Sequence, residues 1–257
     1  MRVIAIANQK GGTGKTTTAV NLSAGLALRK QKVLLLDADP QAHSSKHLGV
    51  ENPEVTLEHV MSGKVPAVKA TYETELENLF VIPSSLELGN YEARLVTEVG
   101  RETLLRNAIK PLHKHVDFIL IDCPPSLDVM TINALSAANE VFIVSQSEYL
   151  SLDGVRQLSD TVEIVQGRIN PTLKISGIIL TMHNDRIVLS REVFGLLEKS
   201  FPGKVFRTKI RRNIRLAEAP SRGQPIQRYA PNSRGARDYN ALAKEVLSQW
   251  SRNGRAS

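Results

Sequence analysis

The stretch Lys10-Gly11-Gly12-Thr13-Gly14-Lys15-Thr16-Thr17 lies between an apolar run, Val3–Ala7, and a segment from Thr16 to about Lys30 that reads as a helix. The glycines let successive backbone N–H groups turn toward one point, and the start of a helix adds the positive end of its dipole there. Together they form a cradle for phosphate oxygens. In this strand–loop–helix setting Lys15 is placed to reach the β- and γ-phosphates of a nucleotide, and the Thr16 hydroxyl to ligate Mg2+. The common spacing for such a loop has glycine where this chain has Gln9, and a second lysine, Lys10, stands beside it. The Gly-x-Gly-x-x-Gly pattern of dinucleotide sites does not occur.

Working outward from the loop, short β-rich runs alternate with longer helical ones. That alternation predicts an α/β fold of the P-loop NTPase kind, a mostly parallel twisted sheet flanked by helices on both faces. Strands are expected at Val3–Ala7, Lys32–Leu36, Leu79–Ile82, Phe118–Ile121, Val141–Val144 and Ile175–Leu180, with a further short one at Val205–Ile210. Helices are expected near Arg101–His113, Asp128–Ala138, Asp153–Gln166, Arg191–Ser200 and Asp238–Trp250. The last carries Leu242, Val246, Leu247 and Trp250 on or near one face, with Trp250 packing on the core. Residues 1–250 read as one domain and 251–257 as a disordered tail.

Ligands of such sheets sit at the carboxyl ends of strands, and acids fall there. Asp37 ends the second apolar run, in Leu36-Asp37-Ala38-Asp39-Pro40-Gln41. Residues two apart on an extended strand point the same way, so Asp37 and Asp39 are expected to face the phosphate site together. One would support the metal, and the other would orient or deprotonate an attacking water. Asp122 ends Ile119-Leu120-Ile121 and is expected to hold Mg2+ through water, since magnesium keeps much of its hydration shell. Cys123 reads as a buried structural thiol, and His113 and His115 as surface residues.

Composition is that of an ordinary globule, 42% hydrophobic and 23% charged, and the single cysteine permits no internal disulfide. No run of about 18 apolar residues is present and the first residues read as a strand, so a cytoplasmic location without membrane attachment is expected. The net charge of +7 is concentrated: between Lys204 and Arg237 ten Lys/Arg face one acid, Glu218. A local basic stretch on a near-neutral body suggests a face for a polyanion.

Taken together, Lys10–Thr17, Asp37–Gln41, Ile121–Ser126 with Thr131-Ile132-Asn133-Ala134-Leu135, Glu148-Tyr149, Thr181-Met182 and Arg215–Ser221 resemble the ParA/Soj family of chromosome- and plasmid-partition ATPases, within the deviant-Walker group that includes MinD. The resemblance covers nearly the whole chain. It implies an ATP-dependent homodimer on non-specific double-stranded DNA, working with a ParB-type centromere-binding partner at the nucleoid. ATP and Mg2+ would be the ligands, and ADP and phosphate the products. Lys10 would reach across to the partner's nucleotide. Gly11, Gly12, Thr13, Gly14, Lys15, Thr16 and Thr17 would hold the phosphates, with Lys15 catalytic as well. Asp39 would serve hydrolysis, and Asp37, Asp122 and Thr16 the metal. Asn213 and the backbone near Arg211 would meet adenine, and Arg186 and Arg215 the DNA.

Departures from the family pattern are visible. Strand one starts at residue 2 or 3, so the short basic tail of many relatives is not expected, nor is an amino-terminal helix-turn-helix domain. Arg211 replaces a proline and is expected to add charge near the adenine or DNA face. Ser145-Gln146-Ser147-Glu148 replaces the usual Pro-Val-Gln. A membrane-positioning relative would need an apolar amphipathic carboxyl end, which Ser251–Ser257 does not supply. A cluster-sharing reductase would need two cysteines, and a small-molecule kinase an acceptor pocket. The alternative that keeps the same chemistry is an ATPase of this kind that positions a protein cargo on the nucleoid.

Overall fold

The computed structural model describes residues 1–253, with side chains through residue 249. Seven strands form one sheet: β1 (Arg2–Ala7), β2 (Val33–Asp37), β3 (Tyr72–Glu73), β4 (Leu79–Ile82), β5 (Phe118–Asp122), β6 (Glu140–Gln146) and β7 (Lys174–Thr181), in the order β3-β4-β2-β5-β1-β6-β7. All neighbours are parallel except the short edge pair β3/β4. The helices are α1 (Lys15–Ala27), α2 (His43–His47), α3 (Leu57–Met61), α4 (Glu87–Leu95), α5 (Leu104–Ile109), α6 (Val129–Ala137), α7 (Ser151–Arg168), α8 (Val188–Ser200), α9 (Ile214–Glu218), α10 (Ile226–Tyr229) and α11 (Arg234–Asn253).

Both faces of the sheet are covered, which is why its strands read as continuous apolar runs. Alternate residues feed two separate cores. Val3, Ala5, Ile119 and Ile121 face one, and Ile4, Ile6, Phe118 and Leu120 the other. The second core lies under α1 and α11, where the Thr18 and Tyr239 hydroxyls hydrogen-bond at 3.0 Å. Among the described residues no helix is long and apolar enough to cross a membrane.

At the amino edge of the sheet Arg2 and Glu140 form a buried fork. Arg2 Nε donates to Glu140 Oε1 at 2.6 Å and Nη2 donates to Oε2. Glu140→Ala would leave a buried guanidinium unpaired. It is expected to cost about 3–5 kcal/mol in urea unfolding, with nucleotide binding at the far edge preserved.

The sequence expectations for the six main strands hold to within a residue or two. Val205–Ile210 does not form a strand. It meets β7 at its two ends, through the isolated bridge of Ile178 with Val205, Phe206 N donating to Ile178 O at 2.9 Å and Ile210 N donating to Leu180 O at 2.8 Å. The reason is competition: the amides of Arg207 and Thr208 donate instead to the Glu245 carboxylate of α11, both at 2.9 Å. The helix expected at Arg101–His113 is broken into α5 and flanking 3-10 turns, since Pro111 has no N–H to continue it. The last helix begins four residues earlier than expected, at Arg234. The packing of Trp250 and the state of residues 254–257 fall outside what the structure describes.

Candidate functional site

The loop from Asn8 to Gly14 leaves the centre of the sheet between β1 and α1. Gly12 and Gly14 have φ of 74° and 91°, a left-handed conformation that costs a side chain strain and glycine little. Two side chains from neighbouring strand ends hold the loop's carbonyls. Gln146 Nε2 donates to Gly12 O at 2.9 Å and Thr181 Oγ1 to Thr13 O at 2.7 Å. In a trans peptide the next N–H points opposite to the carbonyl. Fixing these two carbonyls therefore aims the amides of Thr13 and Gly14 to the other side, into the cradle. Asn8 braces the loop's start, accepting from Lys10 N at 2.9 Å and donating to Val144 O at 2.7 Å.

The two loop lysines part company. Lys15 is 6% exposed, and its ammonium donates to Lys10 O at 3.2 Å, inside the curl of the loop. Desolvation lowers its pKa, and the nearby charges of Asp122 and Asp39 oppose that shift. Lys10 instead extends to the rim, half exposed, with its ammonium 3.4 Å from Glu148.

Asp37 and Asp122 are register partners on β2 and β5, and both are fully buried. Asp37 Oδ2 accepts from Ser45 N at 2.8 Å and Ser45 Oγ at 2.6 Å. Asp122 Oδ2 accepts from Ser44 Oγ at 2.6 Å, and the Thr16 hydroxyl approaches the same carboxylate. Burial pushes both acids above the usual carboxylate range. Asp122 Oδ1 has no hydrogen-bond partner among the described residues. An orphaned oxygen between two buried acids and a threonine hydroxyl fits a hard divalent cation. Asp39, 8% exposed, accepts from Gln41 N at 2.9 Å and donates its own N–H to Asp37 Oδ1 at 3.3 Å. The Cys123 thiol is buried and pushed well up by desolvation, which keeps it protonated and unreactive.

Beside Gly14 and Thr17 opens a largely apolar cleft of about 440 Å³, lined further by Met182, Ile210, Asn213 and Leu216. Its size and polarity suit a flat heteroaromatic ring. The Asn213 side-chain Oδ1 caps α9 by accepting from Arg215 N at 3.0 Å. Arg211 corrects the sequence expectation of added charge: its Nε donates to Asp238 Oδ2 at 3.1 Å and its Nη2 to Oδ1, so this guanidinium is neutralised. Its backbone N–H bonds the same carboxylate, which pins the chain beside the cleft.

The two DNA candidates are both exposed but lie in different settings. Arg186, after β7, lines an open cleft of about 690 Å³ together with Arg211, Arg212, Arg234 and Arg237. Arg215, on α9, pairs with Glu218 at 2.8 Å. Sequence reading missed the loop clamps Gln146 and Asn8 and the acid partners Ser44 and Ser45. The only signal for them was position, at a strand end or just after one.

The sequence matches the AAA domain family over residues 1–175. It is 45% identical to sporulation initiation inhibitor protein Soj of Bacillus subtilis, covering 96% of this chain and 98% of that protein. It is 44% identical to chromosome partitioning protein ParA of Caulobacter vibrioides, covering 97% and 95%. The fold is similar to cobyrinic acid a,c-diamide synthase of Mycobacterium smegmatis, solved with an ATP analogue and magnesium, at TM-score 0.85 and 34% identity over 98% and 96% of the two chains. At 44–45% identity along almost its whole length, the chain belongs to the ParA/Soj family of chromosome-partition ATPases.

Proposed function

We propose that the protein binds ATP, pairs with a second copy around the nucleotides, and as a pair grips non-specific duplex DNA at the nucleoid. With a ParB-type partner it would drive chromosome or plasmid segregation, releasing the DNA as ATP is hydrolysed to ADP and phosphate. The observation that carries this reading is the division between the two loop lysines: Lys15 is folded inward and Lys10 stands at the rim. One lysine suffices for the chain's own phosphates, and the outward one suits the nucleotide of a facing copy. Exposed apolar residues at the same edge, Tyr149, Leu150, Ile187 and Leu189, supply surface for such a contact.

In this reading the amides of residues 11–17 and the Lys15 ammonium hold the phosphate chain, and the cleft at Asn213 and Arg211 takes the adenine. Asp122, Asp37 and Thr16 would hold Mg2+, directly or through water. The ion would supply charge neutralisation across the β- and γ-phosphates. Asp39, close to Lys15 and nearly buried, orients the attacking water and accepts its proton. Relatives at 44% identity carry chromosome-partitioning names, which favours nucleic-acid cargo over the small-molecule chemistry named for the 34% structural neighbour.

A single monomer offers few phosphate contacts. Joining two makes the second set nearly intramolecular, so ATP controls DNA affinity by controlling pairing. Duplex binding by the purified protein with ATP, with ADP and without nucleotide, across a salt series, tests this. Binding should appear only with ATP and weaken steeply with salt. Arg215→Glu should abolish it while leaving ATP binding intact, because Arg215 is exposed, pairs with Glu218 and Tyr229, and does not line the cleft beside Gly14. Equal DNA binding in all three nucleotide states would contradict the switch. Retention of an unrelated protein instead of a ParB-type partner in an ATP-dependent pull-down would point to a protein cargo.

A further inference from the structure

The basic stretch between Lys204 and Arg237 does not spread evenly over the surface. Its arginines at 211, 212, 234 and 237 converge with Arg186 on one open cleft of about 690 Å³, where the loop after β7 meets the amino end of α11. Five guanidiniums share this cleft with a single lining carboxylate, Asp185. The nearby acids are already committed. Asp185 hydrogen-bonds with His183 at 2.9 Å and lies 3.4 Å from Lys209, Asp238 holds Arg211, and Glu218 holds Arg215 and Tyr229. Among the described residues no ion pair joins Arg186, Arg212, Arg234 or Arg237 to an acid.

That arrangement is unfavourable for folding alone. Arg234 and Arg237 are three apart on one helix face and fall at the start of α11, whose first turn has no acid. Cations there oppose the helix dipole. Like charges crowd one cleft with their neutralising partners withheld, which is the condition in which an external anion gains most.

The cleft is also tied to the nucleotide site. His183 is buried at its base, with Nδ1 2.7 Å from Ser147 Oγ and its backbone N–H donating to Ile210 O at 3.0 Å. Ser147 follows the Gln146 that holds Gly12, and His183 lies two residues beyond the Thr181 that holds Thr13. Arg212 lines both this cleft and the cleft beside Gly14 and Thr17. The phosphate loop and the arginines therefore share one short, hydrogen-bonded frame.

We propose that this cleft is a phosphate-binding site in which Arg212, Arg234 and Arg237 join Arg186 to grip the sugar-phosphate backbone of duplex DNA. The inference rests on the DNA-binding reading above and extends it from isolated arginines to a built site. The guanidiniums act on phosphate oxygens and not on base edges, so the grip is indifferent to sequence.

The test is fluorescence anisotropy of a labelled duplex of random sequence, with ATP-bound wild type, Arg212→Ala and Arg234→Ala/Arg237→Ala. Binding of a fluorescent ATP analogue serves as the control for the nucleotide site. Each arginine removed should weaken DNA binding on the order of tenfold near 0.1 M salt and flatten the salt dependence by about one unit of slope for each phosphate left without its arginine. ATP-analogue binding should not change in Arg234→Ala/Arg237→Ala, whose residues line the arginine cleft and not the one beside Gly14. Wild-type DNA affinity and slope in the double variant would overturn the proposal while leaving the broader DNA reading standing. Should the wild type fail to bind duplex at all, that broader reading fails. Inorganic tripolyphosphate titrated into ADP-saturated protein then decides the cleft. Binding that disappears in Arg234→Ala/Arg237→Ala would support a site for free phosphates, and no binding to the wild type would overturn it.

Discussion

Lys15→Ala is expected to lose Mg·ATP binding by a hundredfold or more, about 3 kcal/mol or greater. The figure follows from removing the charged partner of a phosphate in a partly desolvated site. The same substitution should leave the fold intact. Lys15 is buried at a desolvation cost that lowers its pKa, and in the protein alone its ammonium bonds only the Lys10 carbonyl. Thermal unfolding without nucleotide should thus match the wild type, while the ATP-dependent rise in melting temperature should vanish. Normal ATP affinity in this variant would remove Lys15 from the phosphate site.

Asp39→Ala should behave oppositely, keeping ATP and losing hydrolysis by about two to four orders of magnitude, the usual scale for removing a positioned acid–base group. The Asp39 side chain ties down the short turn at Gln41, and its backbone N–H to Asp37 survives in alanine, so its loss leaves the buried acids and the loop in place. It also removes a negative charge from beside the triphosphate. Phosphate release under multiple turnover reads the loss. A DNA complex that persists with ATP long after the wild type has let go reads its consequence. Hydrolysis at the wild-type rate would remove Asp39 from the reaction.

What could be read from the sequence was whatever depends on neighbours along the chain. The loop Lys10–Thr17, its strand and its helix are contiguous, and Asp37 and Asp122 announce themselves as acids closing apolar runs; both proved to be register partners. What could not be read depends on residues far apart. Val205–Ile210 has strand composition, yet Glu245 takes its amides. Arg211 looks like added charge until Asp238 cancels it from α11. Gln146 departs from the family pattern, and only the sheet order, with β6 beside β1, explains how it reaches Gly12. The concentration of basic residues was visible as a count, but their convergence with Arg186 belongs to the tertiary fold. The short α2, α3 and α9, of five residues each, have too little periodicity to be found at all.

Light scattering of the Asp39→Ala protein saturated with Mg·ATP, compared with the wild type in ADP, bears most directly on the whole account. A mass of two chains with ATP and of one chain with ADP is the expected result. A single-chain mass in both states would mean that the triphosphate joins nothing, and that Lys10 at the rim answers to no second copy.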